Sequence, residues 1–323
     1  MTNQMMRLNE EKETMPSSPT TDVIKHVPAV DAAAIPPVSP DEAAALASVE
    51  LERLLTLLES FSAADWESPT FCTLWNVQQV VSHVAGALAA YADWDLLLER
   101  SLPWTQGKAD QHGMTMPVFL ADLAGMPQQS RDEYAAAGFI PLDALNQFEV
   151  DQRAEATPDD LISELRVTGP AAIANRRGLP DEVRGILLPV VGAKAPVSYL
   201  VDVIYPRDIW MHRIELMLSI GRAVPRTAEQ DGRLTALVMR DLARRLNPIL
   251  AARCVLYHLT GPDGGVFRFG TGDEPEAAIT LDTVEFHLLA SGRRSVAEAL
   301  GAAAITGDAE LATLVLQNTV VVY

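Results

Sequence analysis

Cysteine is scarce: Cys72 and Cys254 are the only two in 323 residues, too few for a disulfide framework in a chain this long. Aromatic residues make up 6%, and basic residues are outnumbered, 25 Lys and Arg against 43 Asp and Glu. The formal charge is −18 and the pI is near 4.7. A field of that sign repels phosphate backbones, so nucleic acid is excluded as an expected partner. No apolar run approaches the ~18 residues that a membrane-spanning helix needs. Met1–Thr20 is polar and carries Glu10, Glu11 and Glu13, unlike a secretion signal. No Gly-Lys-Ser/Thr element follows Asp263-Gly264-Gly265, and no dinucleotide fingerprint opens a helix. What is present is 48% hydrophobic residues, enough for a substantial core, in a chain long enough for two domains at roughly 150 residues each. The expectation is an acidic, cytoplasmic protein without a membrane span.

Residues 1–38, with Pro16, Pro19, Pro28, Pro36 and Pro37 among Ser, Thr and Ala, read as a flexible extension. Order begins at Ser39-Pro40-Asp41-Glu42, a helix start with Pro at the first helical position. Leu51, Leu54, Leu55, Leu58 and Phe61 then form one stripe. Asn76 with Gln79 starts a helix expected to run to about Glu99. Its apolar face holds Val77, Val80, Val81, Val84, Leu88 and Tyr91, and His83 points inward with them. Residues 102–140 are irregular. Helices are expected over Leu142–Glu155, from Thr157-Pro158-Asp159-Asp160 toward Asn175, over Val197–Gly221 with a disturbance at Pro206, and over Thr227–Arg245. Helices starting near residues 40, 76, 158 and 197 suffice for a four-helix bundle. After Pro248 the pattern shifts to short β-prone runs, Arg253–Thr260 and Val266–Gly270, around the turn Gly261–Gly265. Ala277–Leu281 reads as a third strand, and three short helices follow. The chain is thus expected to be mainly α with a small α+β domain: a bundle over 39–248 and a small domain over 249–323.

The chemistry concentrates in Arg207-Asp208-Ile209-Trp210-Met211-His212-Arg213. Asp208 and His212 are four apart, share a helix face, and can serve one metal ion. With the inward His83 they make two imidazoles and a carboxylate, the three-ligand set of catalytic zinc sites. Each component has a plainer reading, as a hydrogen-bonded core histidine or a helix-surface Asp–His pair.

Trp66, Cys72 and Trp75 followed by His83-Val84-Ala85-Gly86 resemble the second-helix signature of DinB-like bundles, and more narrowly the mycothiol-dependent maleylpyruvate isomerase family. Arg207-Asp208-x-Trp210-x-His212-Arg213, with Glu215 and Gly221-Arg222 behind it, resembles that family's second metal motif. The resemblance spans about residues 40–323. It implies a DinB-like four-helix bundle followed by a sterol-carrier-like α/β C-terminal domain, with His83, Asp208 and His212 as metal ligands. It also implies Zn²⁺ as the most expected divalent metal and mycothiol, or a similar low-molecular-weight thiol, as cofactor. The implied partners are that thiol and a small-molecule electrophile. In the family, a thiolate adds to the cis double bond of maleylpyruvate, the bond rotates, and elimination gives the trans isomer; the same thiolate serves an S-transferase equally well. One departure stands out: the isomerase proper has Glu where this chain has Asp208. The shorter side chain ligates if its helix sits closer, or binds through a water.

Arg207, Arg213, Arg268, Arg293 and Arg294 are available cations, expected to be paired or solvated. Cys72 is expected to be inert, Trp66, Trp75 and Trp210 to be core, His112 to be a loop residue, and His258 and His287 to serve packing or surface roles. The competing functional reading is a non-catalytic metal- and ligand-binding protein that holds an apolar ligand in the sterol-carrier-like domain.

Overall fold

The computed structural model describes residues 28–93, 107, 110, 141–190 and 193–323. His26, His112, most of the irregular stretch 102–140 and the far end of the helix expected to reach Glu99 lie outside them.

Helix α1 (Pro40–Glu59) starts on Ser39, whose hydroxyl accepts the Glu42 N–H at 3.2 Å. Helix α2 (Val77–Ala92) opens with a reciprocal Asn76–Gln79 capping box. A shorter α3 (Pro141–Asp151) packs on α2, and α4 (Pro158–Arg177) opens with a Thr157–Asp160 box. The expected helix from Val197 forms in three parts: a helical turn, a π-helical turn over Leu200–Ile204, and α5 (Tyr205–Ser219). Pro206 has no N–H for the i−4 carbonyl, and the turn before it widens so that the Tyr205 N–H reaches back to Leu200. The extra residue resets the phase of α5 just ahead of Asp208. Helices α1, α2, α4 and α5 form the bundle. Its core is built from Leu51, Leu54, Leu58, Val77, Val80, Val81, Val84, Leu88, Leu161 and Leu165, with Trp66 buried among them.

Helix α6 (Gln230–Leu250) shares its core with the small domain: Leu237, Val238, Leu242 and Leu246 belong to one cluster with Tyr257, Phe269, Ile279 and Phe286. That domain is a five-stranded mixed sheet in the order β1-β5-β4-β6-β7. Its strands are β1 (Val30–Asp31), β4 (Cys254–Thr260), β5 (Gly265–Gly270), β6 (Ala277–Asp282) and β7 (Ala304–Gly307), accompanied by α7 (Thr283–Ala290), α8 (Val296–Ala302) and α9 (Ala309–Gln317). The remaining pair, β2 (Leu187–Val190) and β3 (Ala193–Pro196), forms a separate antiparallel hairpin. Tyr257, Phe269 and Phe286 meet edge to face at 5.4 and 5.9 Å and fill the helix-facing side of the sheet.

Three features depart from the sequence reading. Residues 30–35, assigned to the flexible extension, belong to the fold: Val30 pairs with Phe267 in parallel register, and Ala32 and Ile35 are buried against α6. Arg240 fixes this segment through the Ile35 carbonyl at 2.8 Å. A two-residue strand whose partner lies near the other end of the chain leaves no local periodicity to read. The β2–β3 hairpin and β7 are strands that the sequence reading does not assign.

His287 is fully buried, with Nε2 3.0 Å from the Thr235 hydroxyl and Nδ1 2.6 Å from that of Tyr323. Burial, with the nearby Arg207 and Arg226 charges, depresses its pKa to about 3. The unfolded ring takes up a proton near 6.5 while the buried ring stays neutral to about pH 3. The folded state therefore loses stability as pH falls through that window. Thermal or denaturant unfolding at pH 7 and pH 4 should show a loss of about 3 kcal/mol from this residue. His287→Gln should unfold with a correspondingly shallower pH slope, and an unchanged slope would remove His287 as the cause.

Candidate metal centre

α2 delivers His83, and α5 delivers Asp208 and His212 from successive turns of one face. Asp208 Oδ1 lies 3.4 Å from His212 Nε2 and 4.0 Å from His83 Nε2. One ligand atom from each residue falls within 4.8 Å of the other two. Ligand atoms about 2.0–2.2 Å from a tetrahedrally coordinated zinc stand roughly 3.3–3.6 Å apart; the Asp208–His212 separation matches this and the Asp208–His83 separation is wider, and the donor set is one that could hold a divalent ion. Oδ1 of the shorter Asp208 side chain is one of the three atoms brought together. The two imidazoles stand edge to face, 5.2 Å between centres.

What orients the rings lies on their far side. His83 Nδ1 is 2.7 Å from Glu149 Oε2 on α3, and His212 Nδ1 is 3.0 Å from Glu215 Oε2. With each Nδ1–H donated to a carboxylate, each Nε2 lone pair turns toward the common point. Ligating histidines in metal sites are held in the same way. Glu215 is itself fixed: Arg293, just after α7 in the small domain, donates to it through Nε at 3.1 Å and a terminal nitrogen at 2.7 Å. The Cys72 N–H donates to its other oxygen at 3.0 Å. The small domain therefore contributes directly to the support of one histidine.

Electrostatics follow from this packing. Burial favours a neutral His83, but the nearby Asp208 and Glu149 carboxylates outweigh it and raise the pKa to about 10. His212 is raised against its burial by Asp208 and Glu215. Asp208 is held far below the usual carboxylate range, the two histidines overcoming burial. Glu215 is lowered to about 2 by His212 and Arg293, again against burial, whereas burial dominates at Glu149 and raises it. Without an ion, protons on the imidazoles balance the carboxylates, so a cation entering at the Nε2 atoms displaces protons.

Among the other residues the sequence singles out, Trp66 and Trp210 are core as expected. Trp75 is half-buried against the bundle core, and its ring also lies 5.4 Å from that of His83, with its indole N–H donated to Gln147 at 2.9 Å. The Cys72 thiol is half-buried and pushed up to about 12 by burial and by Glu215, which fits an inert cysteine. Arg207 and Arg213 are buried rather than at the surface, on Asp241 and on Glu50 with Asp231. Arg268 donates to the Gly272 carbonyl, and Arg294 pairs with Glu285. Glu149 was not anticipated. It follows the irregular stretch, and its only local signal is an acidic residue on a short helix.

Gly86 permits the approach of Glu149. A Cβ there would stand 2.5 Å from Glu149 Cβ and 2.9 Å from an Arg153 terminal nitrogen, one turn from His83. Gly86→Ala should push α3 off α2 and lengthen the Glu149–His83 hydrogen bond. Zinc affinity, measured against a competing chelator, should fall about 10–100-fold, the usual cost of losing an orienting partner; unchanged affinity would show that Glu149 does not orient His83.

No helix among the described residues is long and apolar enough to cross a membrane. No curated protein matches this chain. Two solved structures are similar to it, a crystal structure of the mycothiol-dependent maleylpyruvate isomerase and one of a mutant of that enzyme. Each is 14% identical, with 84% of this chain and 95% of the other covered and a TM-score of 0.47. Residues 47–217, which include both histidines and Asp208, match the family model described as the mycothiol maleylpyruvate isomerase N-terminal domain. That match spans more than half of the chain, which thus belongs to the mycothiol maleylpyruvate isomerase N-terminal domain family.

Proposed function

We propose that this chain is a metal- and thiol-dependent enzyme of the maleylpyruvate isomerase type. Zinc is held by His83, Asp208 and His212, and mycothiol or a similar low-molecular-weight thiol is the cofactor. The reaction is cis–trans isomerisation of a small electrophile, or S-transfer to one. The observation that carries this reading is the convergence of two Nε2 atoms and Oδ1 of Asp208, with each Nδ1 tied to a carboxylate. A divalent ion supplies a Lewis acid able to keep a thiol ionised near neutral pH. Glu149 and Glu215 keep the Nδ1 protons and leave Nε2 free. Trp75 covers one face of His83 and limits water there. Arg293 clamps Glu215 from the small domain, so both domains bear on one centre. The raised Cys72 thiol leaves the external thiol as the nucleophile.

The test is turnover of maleylpyruvate by the full chain with zinc and thiol supplied separately and together. The reading expects conversion only when both are present. A folded chain that takes up no zinc, or turns over equally well without thiol, would overturn it.

A further inference from the structure

A cleft with about 260 Å³ of free space lies between α6, the π-helical turn before α5 and the segment that leads into α1. That volume is near the lower end of the range for small-molecule sites. None of the residues lining it belongs to the metal set or supports it. Val38, Pro196, Tyr199, Val203 and Leu237 supply apolar wall, and Arg240 and Arg244 supply cations. The two arginines are four apart on α6, so they share one face of it.

The carboxylates at this cleft are already committed. Asp202 receives Arg184 at 2.5 Å. Oδ2 of Asp241 receives the Tyr199 hydroxyl at 2.9 Å and an Arg207 terminal nitrogen at 2.8 Å, and Arg244 stands 3.3 Å from Oδ1. The Arg244 guanidinium also lies over Tyr199, its Cζ 5.8 Å from the ring centre. Arg240 is half-buried and held by its Nε on the Ile35 carbonyl at 2.8 Å. Its two terminal nitrogens have no hydrogen-bond or ion-pair partner among the described residues. Four guanidinium groups thus stand against two carboxylates, a local excess of two positive charges in a chain of formal charge −18. A concave site with low-dielectric walls focuses such a field on an incoming anion.

We propose that this cleft binds a small organic carboxylate. Its anionic end takes the unpartnered nitrogens of Arg240, with the Arg244 charge beside it, and its apolar body lies against Pro196, Val203 and Leu237. A guanidinium with both terminal nitrogens free matches the two oxygens of a carboxylate. The free space of about 260 Å³ equals roughly eight or nine waters in bulk volume, which admits a body the size of benzoate. The site shares no residue with the metal centre and stands independently of the enzymatic reading.

The experiment is a calorimetric titration of benzoate into the full chain, with uncharged benzamide and inorganic phosphate as comparison probes. The proteins are wild type, Arg240→Gln, Arg244→Gln, Ser198→Phe and His212→Ala, each checked by thermal melting. Wild type should bind benzoate at one saturable site, and bind benzamide and phosphate at least about 10-fold more weakly. Arg240→Gln and Arg244→Gln should each weaken benzoate about 10-fold, the scale of one charge-assisted contact. Ser198 lines the cleft, so Ser198→Phe fills it and should weaken benzoate about 100-fold, whereas His212→Ala should leave it unchanged. Absence of saturable binding, or benzamide or phosphate binding as tightly as benzoate, would overturn the proposal. So would benzoate binding that His212→Ala abolishes and Arg244→Gln leaves intact, which would place the anion at the metal centre. Arg240 also holds the Ile35 carbonyl; if Arg240→Gln does not fold, Arg244→Gln and Ser198→Phe decide the question, and unchanged benzoate binding in both overturns it.

Discussion

Replacing His212 by alanine should remove stoichiometric metal binding and lower thiol-dependent turnover by at least about 10³-fold, near 4 kcal/mol of transition-state stabilisation. The loss should exceed the about 10–100-fold expected of Glu215→Gln, which weakens only the partner that orients the ring. His83→Ala should match His212→Ala, since the two Nε2 atoms face the same point from different helices. Both losses should coincide with an unchanged helical spectrum, the control that separates a lost ligand from a lost fold. Loading should also weaken as pH falls, since protons held on His83 with a pKa of about 10 compete for the same nitrogen atoms. If His212→Ala retains full turnover, the metal account fails.

A second large effect is expected on stability, one residue from the first. Arg213 is 1% exposed; its Nε donates to Glu50 at 2.7 Å and a terminal nitrogen to Asp231 at 3.0 Å. Asp231 also accepts from the Trp210 indole at 2.9 Å and from Arg53 at 3.0 Å. These groups join α1, α5 and α6, where the bundle meets the small domain. Arg213→Ala leaves two buried carboxylates short of a partner, which costs about 3–5 kcal/mol and should lower Tm by about 5 °C. Arg213→Lys keeps the charge and should lose less. Chemical denaturation of the three proteins measures this, and a loss under about 1 kcal/mol for Arg213→Ala would show that solvent enters the network.

The two predictions show how one motif divides its work. Asp208, His212 and Glu215 lie on one face of α5 and serve the metal centre. Arg207, Trp210 and Arg213 lie on the other and hold α6, the C-terminal residues and α1. The helix period makes this division visible in the sequence, and the same period turns His83 inward. The helix starts at Ser39, Asn76 and Thr157 were legible because caps are local chemistry. Other features depend on contacts that no local pattern records. Glu149 reaches His83 only because Gly86 lets α3 close on α2. Arg293 reaches Glu215 only because the small domain docks on the bundle. Strand β1 exists only because β5 offers it an edge. The arginines of the motif are expected from the sequence to be paired or solvated; Arg207 and Arg213 are paired, but with internal carboxylates rather than at the surface.

The most direct test of the account is titration of the purified chain with Co²⁺, a spectroscopic substitute for zinc, beside His83→Ala, Asp208→Ala and His212→Ala. The account predicts one equivalent bound by the wild type, with visible absorption typical of a low-coordinate nitrogen and oxygen site, and loss of that band in all three variants. A wild type that binds no cobalt, or variants that keep the band unchanged, would contradict it.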